Sequence, residues 1–392
     1  MTLPASSVLM TYVARRVLGP FAVLAGVLLF ALTLERVLSL VQVVTELKAP
    51  IYMVGELVFY LLPHYLGLAI PAAWFLGVLI GLRGLQRDSE LTVIRASGIP
   101  LRRLLAPLLL VSLALGLVMI LLTGYLQPYS RHAYRASLQE LKRKDFWSKL
   151  EPGVFTSLEE NRSVVRVGAV ADGGHLLKDF FARYQQAGGR RVYVSAREAA
   201  VKPLADGGTD ADTQLELRDG MMLLRDQRTG AEDRVLNLSF DELSWSLSET
   251  GLLPPHGPRG QDERELTFGE LRTDRSAPAG LAVAAPRRLT EWHSRLVKSV
   301  SVPLLAILAV PLALLGRGRS NKAYGFVIGI VLLVLYQKVL GTGESYGKLG
   351  ELPPDIAAWG PCLVLGLLAA ALFHWLGGDR DQSIRRVARQ NA

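Results

Sequence analysis

Residues 104–130 read LLAPLLLVSLALGLVMILLTGYLQPYS, a run with no charged side chain. A helix that crosses a bilayer core needs about 20 predominantly apolar residues, so this stretch is long enough by itself. Working outward from it, five further uncharged runs occur, at 17–34, 57–82, 299–316, 323–337 and 356–378. The run at 323–337 is the shortest, and Lys338 behind it can snorkel to the interface and lengthen it. Three runs precede a polar block and three follow it. The pattern predicts a mixed membrane protein with six transmembrane α-helices in a 3+3 arrangement and a soluble domain inserted between the third and fourth.

Composition agrees. Half of the 392 residues are hydrophobic, a fifth are charged, and the mean hydropathy is +0.27. A soluble chain carries about a quarter charged residues. The net charge of +9 raises nucleic acid as a partner, but the basic residues cluster beside the apolar runs, which points to membrane topology and not to nucleic acid. Short cytoplasmic loops are enriched in Lys and Arg. Arg15 and Arg16 precede the first run, and Arg83, Arg87, Arg95, Arg102 and Arg103 lie between the second and third. Arg317, Arg319 and Lys322 lie between the fourth and fifth, and Arg380, Arg385, Arg386 and Arg389 follow the sixth. The opposite loops are poorer: Lys48 sits near Glu46, and Lys348 between Glu344 and Glu351. Both termini are therefore expected in the cytoplasm and the polar block on the far side. No small-residue cleavage site follows the first run, so it is expected to remain as an anchor and not to leave as a signal peptide. The single cysteine, Cys362, lies in the sixth run, so the exported block has no disulfide and must be held by its own core.

That block, 129–294, reads as β-rich. Residues 163–167 (SVVRV) and 191–194 (RVYV) are β-branched runs, and 215–217 (LEL) alternates. Asp219-Gly220 reads as a turn before residues 221–224 (MMLL), and 236–240 (LNLSF) alternates again. Short strands at this spacing predict an antiparallel sandwich or roll. Residues 131–144 are charged and are expected to extend the third membrane helix beyond the bilayer.

The sequence has no P-loop, H-E-x-x-H or C-x-x-C. His64, inside the second run, has two readings, a neutral histidine bonded between helices or a proton-relay group. His374 is an interfacial residue by position. Glu35-Arg36 closes the first run on the outer side. This pair is either a surface ion pair or an arginine turned to a cavity, where its guanidinium would grip an anionic lipid headgroup. Gly77-x-x-x-Gly81 and Gly325-x-x-x-Gly329 have the spacing that lets helices approach closely, although such spacings also arise by chance in apolar runs.

The loop at about 87–98 carries the most local information. Asp88 is a candidate N-cap, residues 90–97 (ELTVIRAS) make about two turns, Gly98 is a natural stop and Pro100 follows. Leu91 and Ile94 share a face, three residues apart. A short capped helix in the cytoplasmic loop of a six-span protein resembles the coupling helix by which ABC permeases meet their ATPase, which would make Asp88, Glu90, Leu91, Ile94 and Arg95 its contact residues; the other reading is an interfacial helix lying on the lipid surface.

Residues 87–98 (RDSELTVIRASG) resemble the coupling-helix region of the LptF/LptG permeases of lipopolysaccharide export. Further stretches resemble the same family in order: LEPGVF at 150–155, EWHSR at 291–295, VPL at 310–312 before the basic turn RGR at 317–319, LPP at 352–354 and WGP at 359–361. Cys362 stands where many members have Asn. The segment LERVL at 34–38 leans towards the LptF branch. The resemblance implies a periplasmic β-jellyroll-like domain at 129–294, transmembrane helices at 1–128 and 295–378, and a cytoplasmic tail at 379–392. It implies a permease without its own ATPase motifs, which extracts lipopolysaccharide between the first and fifth spans. Implied partners are a second LptF/LptG-type permease, an LptB-like ATPase dimer that binds ATP and Mg, an LptC-like single-span protein and an LptA-like periplasmic bridge. Under it, Arg36 and Glu35 fall at the substrate's path and Gly325 and Gly329 at the gate. The alternatives are a permease for another lipid or lipoprotein and a membrane-embedded lipid-modifying enzyme. The enzyme would need converging His, Asp or Glu at membrane depth.

Orientation can be tested with thiols. In a Cys362→Ala background, cysteines placed at Asp172 and Thr229 are expected to react with an impermeant reagent in intact spheroplasts, and one placed at Arg319 is not. Reversed labelling would overturn the orientation.

Overall fold

The computed structural model describes residues 5–47, 49–97, 99, 101–148, 152–158, 163–171, 176–185, 191–203, 213–225, 235–246, 259–260, 262–273, 283–315 and 324–390. They form two compact units. One comprises residues 1–40, 58–132 and 259–392, the other 41–57 and 133–258. The helices are α1 (Ala5–Glu46), α2 (Tyr52–Arg87), α3 (Glu90–Ala96), α4 (Leu101–Leu121), α5 (Gln127–Ser148), α6 (Phe268–Arg272), α7 (Ala285–Leu314), α8 (Tyr324–Leu349) and α9 (Pro354–Gln390). Among the described residues, six spans are long and apolar enough to cross a membrane: Val8–Glu46, Tyr52–Arg87, Leu105–Leu141, Ala285–Leu314, Tyr324–Leu349 and Pro354–Trp375. Each contains one of the uncharged runs, in whole or in large part, and most exceed theirs. Thus α1 continues past Arg36 to Glu46, and α7 starts at Ala285, ahead of the run at 299.

In the helical unit α7 is central and packs against α4, α8 and α9. Its Val297, Val302, Leu305, Ala306, Leu308 and Ala309 are fully buried. Close helix approaches are made at glycines. A Cβ at Gly77 would lie 2.9 Å from the Phe21 Cα, and one at Gly81 2.8 Å from a Val17 methyl. On α8, a Cβ at Gly325 would meet the Leu312 carbonyl of α7, and one at Gly329 would lie 3.2 Å from Phe75 and Leu79 of α2. Between α2 and α4 the Trp74 indole donates to Ser112 Oγ (2.8 Å), whose hydroxyl donates to the Leu108 carbonyl (2.6 Å).

Between α4 and α5 the chain makes a π turn, Leu122–Leu126, in which the Gln127 amide donates to the Leu122 carbonyl. The Thr123 hydroxyl donates to the Met119 carbonyl at 2.8 Å, so a side chain serves a backbone acceptor at the turn. The Gln127 side-chain amide donates to His64 Nδ1 at 3.1 Å. His64 is therefore hydrogen-bonded between helices, the first of its two expected roles.

Among its described residues the other unit holds seven antiparallel strands: β1 (Phe155–Leu158), β2 (Ser163–Arg166), β3 (Ala169–Ala171), β4 (Leu176–Gln185), β5 (Arg191–Pro203), β6 (Thr213–Arg225) and β7 (Val235–Ser246). They form one sheet in the order β1-β2-β4-β5-β6-β7, with β3 also beside β4. Asp219-Gly220 does not end a strand, contrary to the sequence reading, because β6 runs straight through it. Asp219 adopts the left-handed conformation (φ 50°) that a turn would use, as does Asp179 in β4 (φ 51°). Here that conformation creases the sheet instead. The register aligns Asp179, Arg197, Asp219 and Asp241 as one transverse row across β4 to β7, and each of the four is exposed.

At this row the inward-facing alternation shifts by one residue in every strand. In β4 the buried set is Leu177, then Phe180, Ala182 and Tyr184; in β5 it is Val192, Val194 and Ala196, then Ala199. In β6 Leu215 and Leu217 are followed by Met222 and Leu224, and in β7 Phe240 is followed by Leu243 and Trp245. Without the crease, half of each strand would turn its apolar side to water. With it, both halves feed a single core. Trp245, from one side of the crease, has its ring 5.6 Å from that of Tyr184, from the other, so both halves of the one antiparallel sheet close on the same core.

The left-handed residue gives a direct test. A β-branched side chain at that φ costs about 1–2 kcal/mol or more, and glycine does not incur it. Asp219→Val is expected to lower the thermal midpoint of the purified protein, and Asp219→Gly to keep it at or above the unsubstituted value. Equal loss in both variants would count against the crease.

Candidate functional site

The loop between α2 and α4 folds into α3. Ser89, at φ 60°, takes the position before the helix, and its carbonyl accepts from the amides of Thr92 (3.1 Å) and Val93 (3.2 Å). The expected N-cap, Asp88, is thus displaced by one residue, and its carboxylate accepts from the Arg16 guanidinium of α1 (2.5 Å). Glu90 accepts from the Tyr12 hydroxyl, also on α1 (2.6 Å). Leu91 is 2% exposed and sits in the core of the bundle, with Ile94 packed against that core. The shared face of Leu91 and Ile94 therefore anchors α3. Thr92, Val93 and Ala96 form its outward side, Val93 being 64% exposed. Arg95 is on the helix; its side chain, with Gly98 and Pro100, lies outside the described residues.

Glu35 and Arg36 are both exposed on α1, within a stretch that turns Val27, Phe30, Leu34 and Leu38 outward. Consecutive residues on a helix diverge by about 100°, so the two side chains leave in different directions. Gly325 and Gly329 are buried on the opposite side of α8 from Val327 and Val331, which are exposed.

A larger polar assembly surrounds the segment 259–273, which follows the β domain in the chain. Arg295 of α7 is 2% exposed. Its Nε donates to Glu291 (3.0 Å), its Nη1 to the Leu266 carbonyl (2.7 Å) and its Nη2 to the carbonyls of Arg264 (3.2 Å) and Glu263 (3.4 Å). Lys348 of α8 bridges Glu291 (2.8 Å) and Glu263 (3.2 Å). Lys298 pairs with Glu344 at 2.9 Å, and the Ser294 hydroxyl donates to the same carboxylate. On the α5 side, Arg131 donates twice to Asp262 (2.8 and 3.0 Å). Burial pushes the Asp262 carboxyl up, but the Arg264 amide and the Arg131 guanidinium outweigh it and hold the group below the ordinary carboxylate range. Phe268 lies against Gly124 of the π turn and packs edge-on against Trp292. The segment is thereby clamped to α5, α7 and α8. Among the described residues, no group of three or more His, Cys, Asp or Glu could hold a metal ion. The arrangement can position helices.

The family model described as "Lipopolysaccharide export system permease LptF/LptG" matches residues 11–375, which takes in all six membrane helices and the inserted sheet. The chain belongs to the LptF/LptG permease family. It is 23% identical over 371 residues to the lipopolysaccharide export system permease protein LptF of Escherichia coli K12, covering 94% of this chain and 95% of that protein. The LptF of Shigella flexneri matches to the same extent. Within this LptF/LptG permease, sequence reading located α3 and the glycines but missed the clamp. The one available signal was the Glu291/Arg295 spacing of four residues, which places the two on one helix face. Their partners lie 29 to 57 residues away in the sequence.

Removing one member of a buried ion pair leaves the other uncompensated. Glu291→Ala is expected to destabilise the permease by about 3 kcal/mol, the lower end of the range for buried pairs, because Arg295 keeps its carbonyl acceptors. Glu291→Leu combined with Arg295→Met, which leaves no orphaned guanidinium, is expected to lie closer to the unsubstituted protein. Thermal unfolding in detergent reads both.

Proposed function

We propose that this chain is the LptF-type permease subunit of an ABC transporter that extracts lipopolysaccharide from the bacterial inner membrane and passes it towards a periplasmic bridge. The observation that carries the reading is the family match over residues 11–375, helices and inserted sheet together. The LptF relatives, each covered over 95% of its length, support the branch. The Lys and Arg distribution supports cytoplasmic termini and a periplasmic β domain.

In this reading ATP and Mg are bound by an LptB-like dimer, which docks on the outward face of α3. A second LptF/LptG-type permease completes the membrane core, joined by an LptC-like single-span protein and an LptA-like bridge. The exposed apolar sides of α1 and α8 are suited to acyl chains or a neighbouring subunit. Arg36 in this reading meets lipid phosphates, since a guanidinium can grip phosphate bidentately.

Purification from native membranes in mild detergent is expected to retain an ATPase subunit, and Val93→Asp on the outer face of α3 to release it. A photocrosslinker at position 36 is expected to capture lipopolysaccharide. A permease that carries no ATPase, together with no lipid captured at position 36 when lipid-facing sites on α9 crosslink well, would overturn the reading.

A further inference from the structure

We propose that Tyr12 and Arg16 are positioning residues that lock α3 onto α1, so that a displacement delivered to α3 reaches α1 as well as the helices joined to it in the chain. This rests on the reading of α3 as the ATPase-facing helix. α3 follows α2 and precedes α4 in the chain, and Leu91 seats it in the core of the bundle. Its tie to α1 is made by side chains from residues that are 78 and 72 positions apart in the sequence: the Tyr12 hydroxyl donating to Glu90, and the Arg16 guanidinium donating to Asp88. Tyr12 and Arg16 are one turn apart on α1 and so present one face to α3. Asp88 and Glu90 flank Ser89, whose left-handed backbone turns the chain at that point. The two contacts therefore hold both sides of the bend from which α3 starts.

The seat of α1 on the bundle lies directly beside these residues. Val13 and Val17 are fully buried. Gly81 brings α2 within 3.0 Å of the Arg16 carbonyl and Gly77 brings it within 2.9 Å of Phe21, both measured from an added Cβ. The Phe21 ring packs edge-on against Trp74 at 5.4 Å. Pro20 falls inside this seat and removes one helical hydrogen bond from it. Beyond Phe21 the side chains of Val23, Val27, Phe30, Leu34 and Leu38 are exposed, and burial resumes at Leu40. α1 is thus seated in the bundle up to Phe21, and from Val23 to Leu38 it turns large apolar side chains outward. From Phe21 to Tyr12 the helix measures about 14 Å, and from Phe21 to Leu40 about 28 Å. A small movement imposed at Tyr12 and Arg16 is carried along the helix to Glu35 and Arg36, about 22 Å beyond Phe21. The pairing is exposed and modest in strength, which suits a contact that must transmit force while α3 stays anchored through Leu91.

The test uses the intact permease complex in lipid nanodiscs, with three measurements: the mobility of a spin label at Ser97, just past the end of α3, the ATPase subunit retained, and the lipopolysaccharide released per ATP hydrolysed. In Arg16→Asp, label mobility is expected to rise and release per ATP to fall about fivefold, the scale of one exposed ion pair. Tyr12→Phe, which deletes only the hydroxyl, is expected to shift both in the same direction and by less. Exchanging the charges in Arg16→Asp/Asp88→Arg is expected to restore both, which a purely structural loss would not permit. Unchanged release per ATP in Arg16→Asp, or an exchange that restores neither measurement, overturns the proposal. The ATPase reading fails separately: if Val93→Asp leaves the ATPase subunit bound, α3 is not its docking helix, and the spin label still decides whether α1 holds α3.

Discussion

Within hydrocarbon an unpaired backbone amide or carbonyl has no water to turn to, so every crossing segment must close its hydrogen bonds internally. That requirement selects helices, and once they form the hydrophobic effect no longer distinguishes a neighbouring helix from lipid. Contact between the crossing helices must then come from close backbone approach and from a few buried polar pairs. Both are present. Gly77, Gly81, Gly325 and Gly329 let backbones nearly touch, and Trp74–Ser112 and His64–Gln127 join helices from within. Where the chain leaves the uncharged runs, water is again available, and ion pairs of larger reach take over around residues 259–273.

The sheet faces the opposite constraint. Its backbone is satisfied strand to strand, and its difficulty is to give long strands one consistent apolar side while bending. β4 to β7 solve this with a row of polar residues at which the alternation changes step. Two of the four, Asp179 and Asp219, adopt a backbone conformation that Asp tolerates better than most residues. The core on the inner side, from Val165 to Trp245, is continuous across that row.

How much of this was legible follows from the range of each interaction. The six helices were legible because charge exclusion from a bilayer is imposed residue by residue. Their ends were less so, since α1 and α7 continue through charged positions that membrane arguments alone do not cover. α3 was legible from its local pattern, but the direction of Leu91 was not, because burial depends on what a helix packs against. The crease was misread as a turn at Asp219-Gly220: the same dihedral serves both, and only the strand partners decide between them. Arg295 and Lys348 gave little sign of their partners, which are remote in sequence. Arg16 stood out only as a topological charge, and its contact with Asp88 depends on how α1 lies along α2.

The π turn at Leu122–Leu126 has an implication for how the third span can vary. An α-helix advances by about 100° per residue, and a π turn accommodates one residue more than regular winding would. Side chains before it, such as Ser112 and Met119, and those after it, such as Gln127 and Arg131, are therefore set out of phase. The turn corrects the azimuth so that His64 meets Gln127 and Asp262 meets Arg131. A relative that lacked this one residue would carry a regular helix there and would have its upper half rotated away from both partners. Residue count at this point is thus a geometric variable in its own right, and substitution at the partner positions cannot substitute for it.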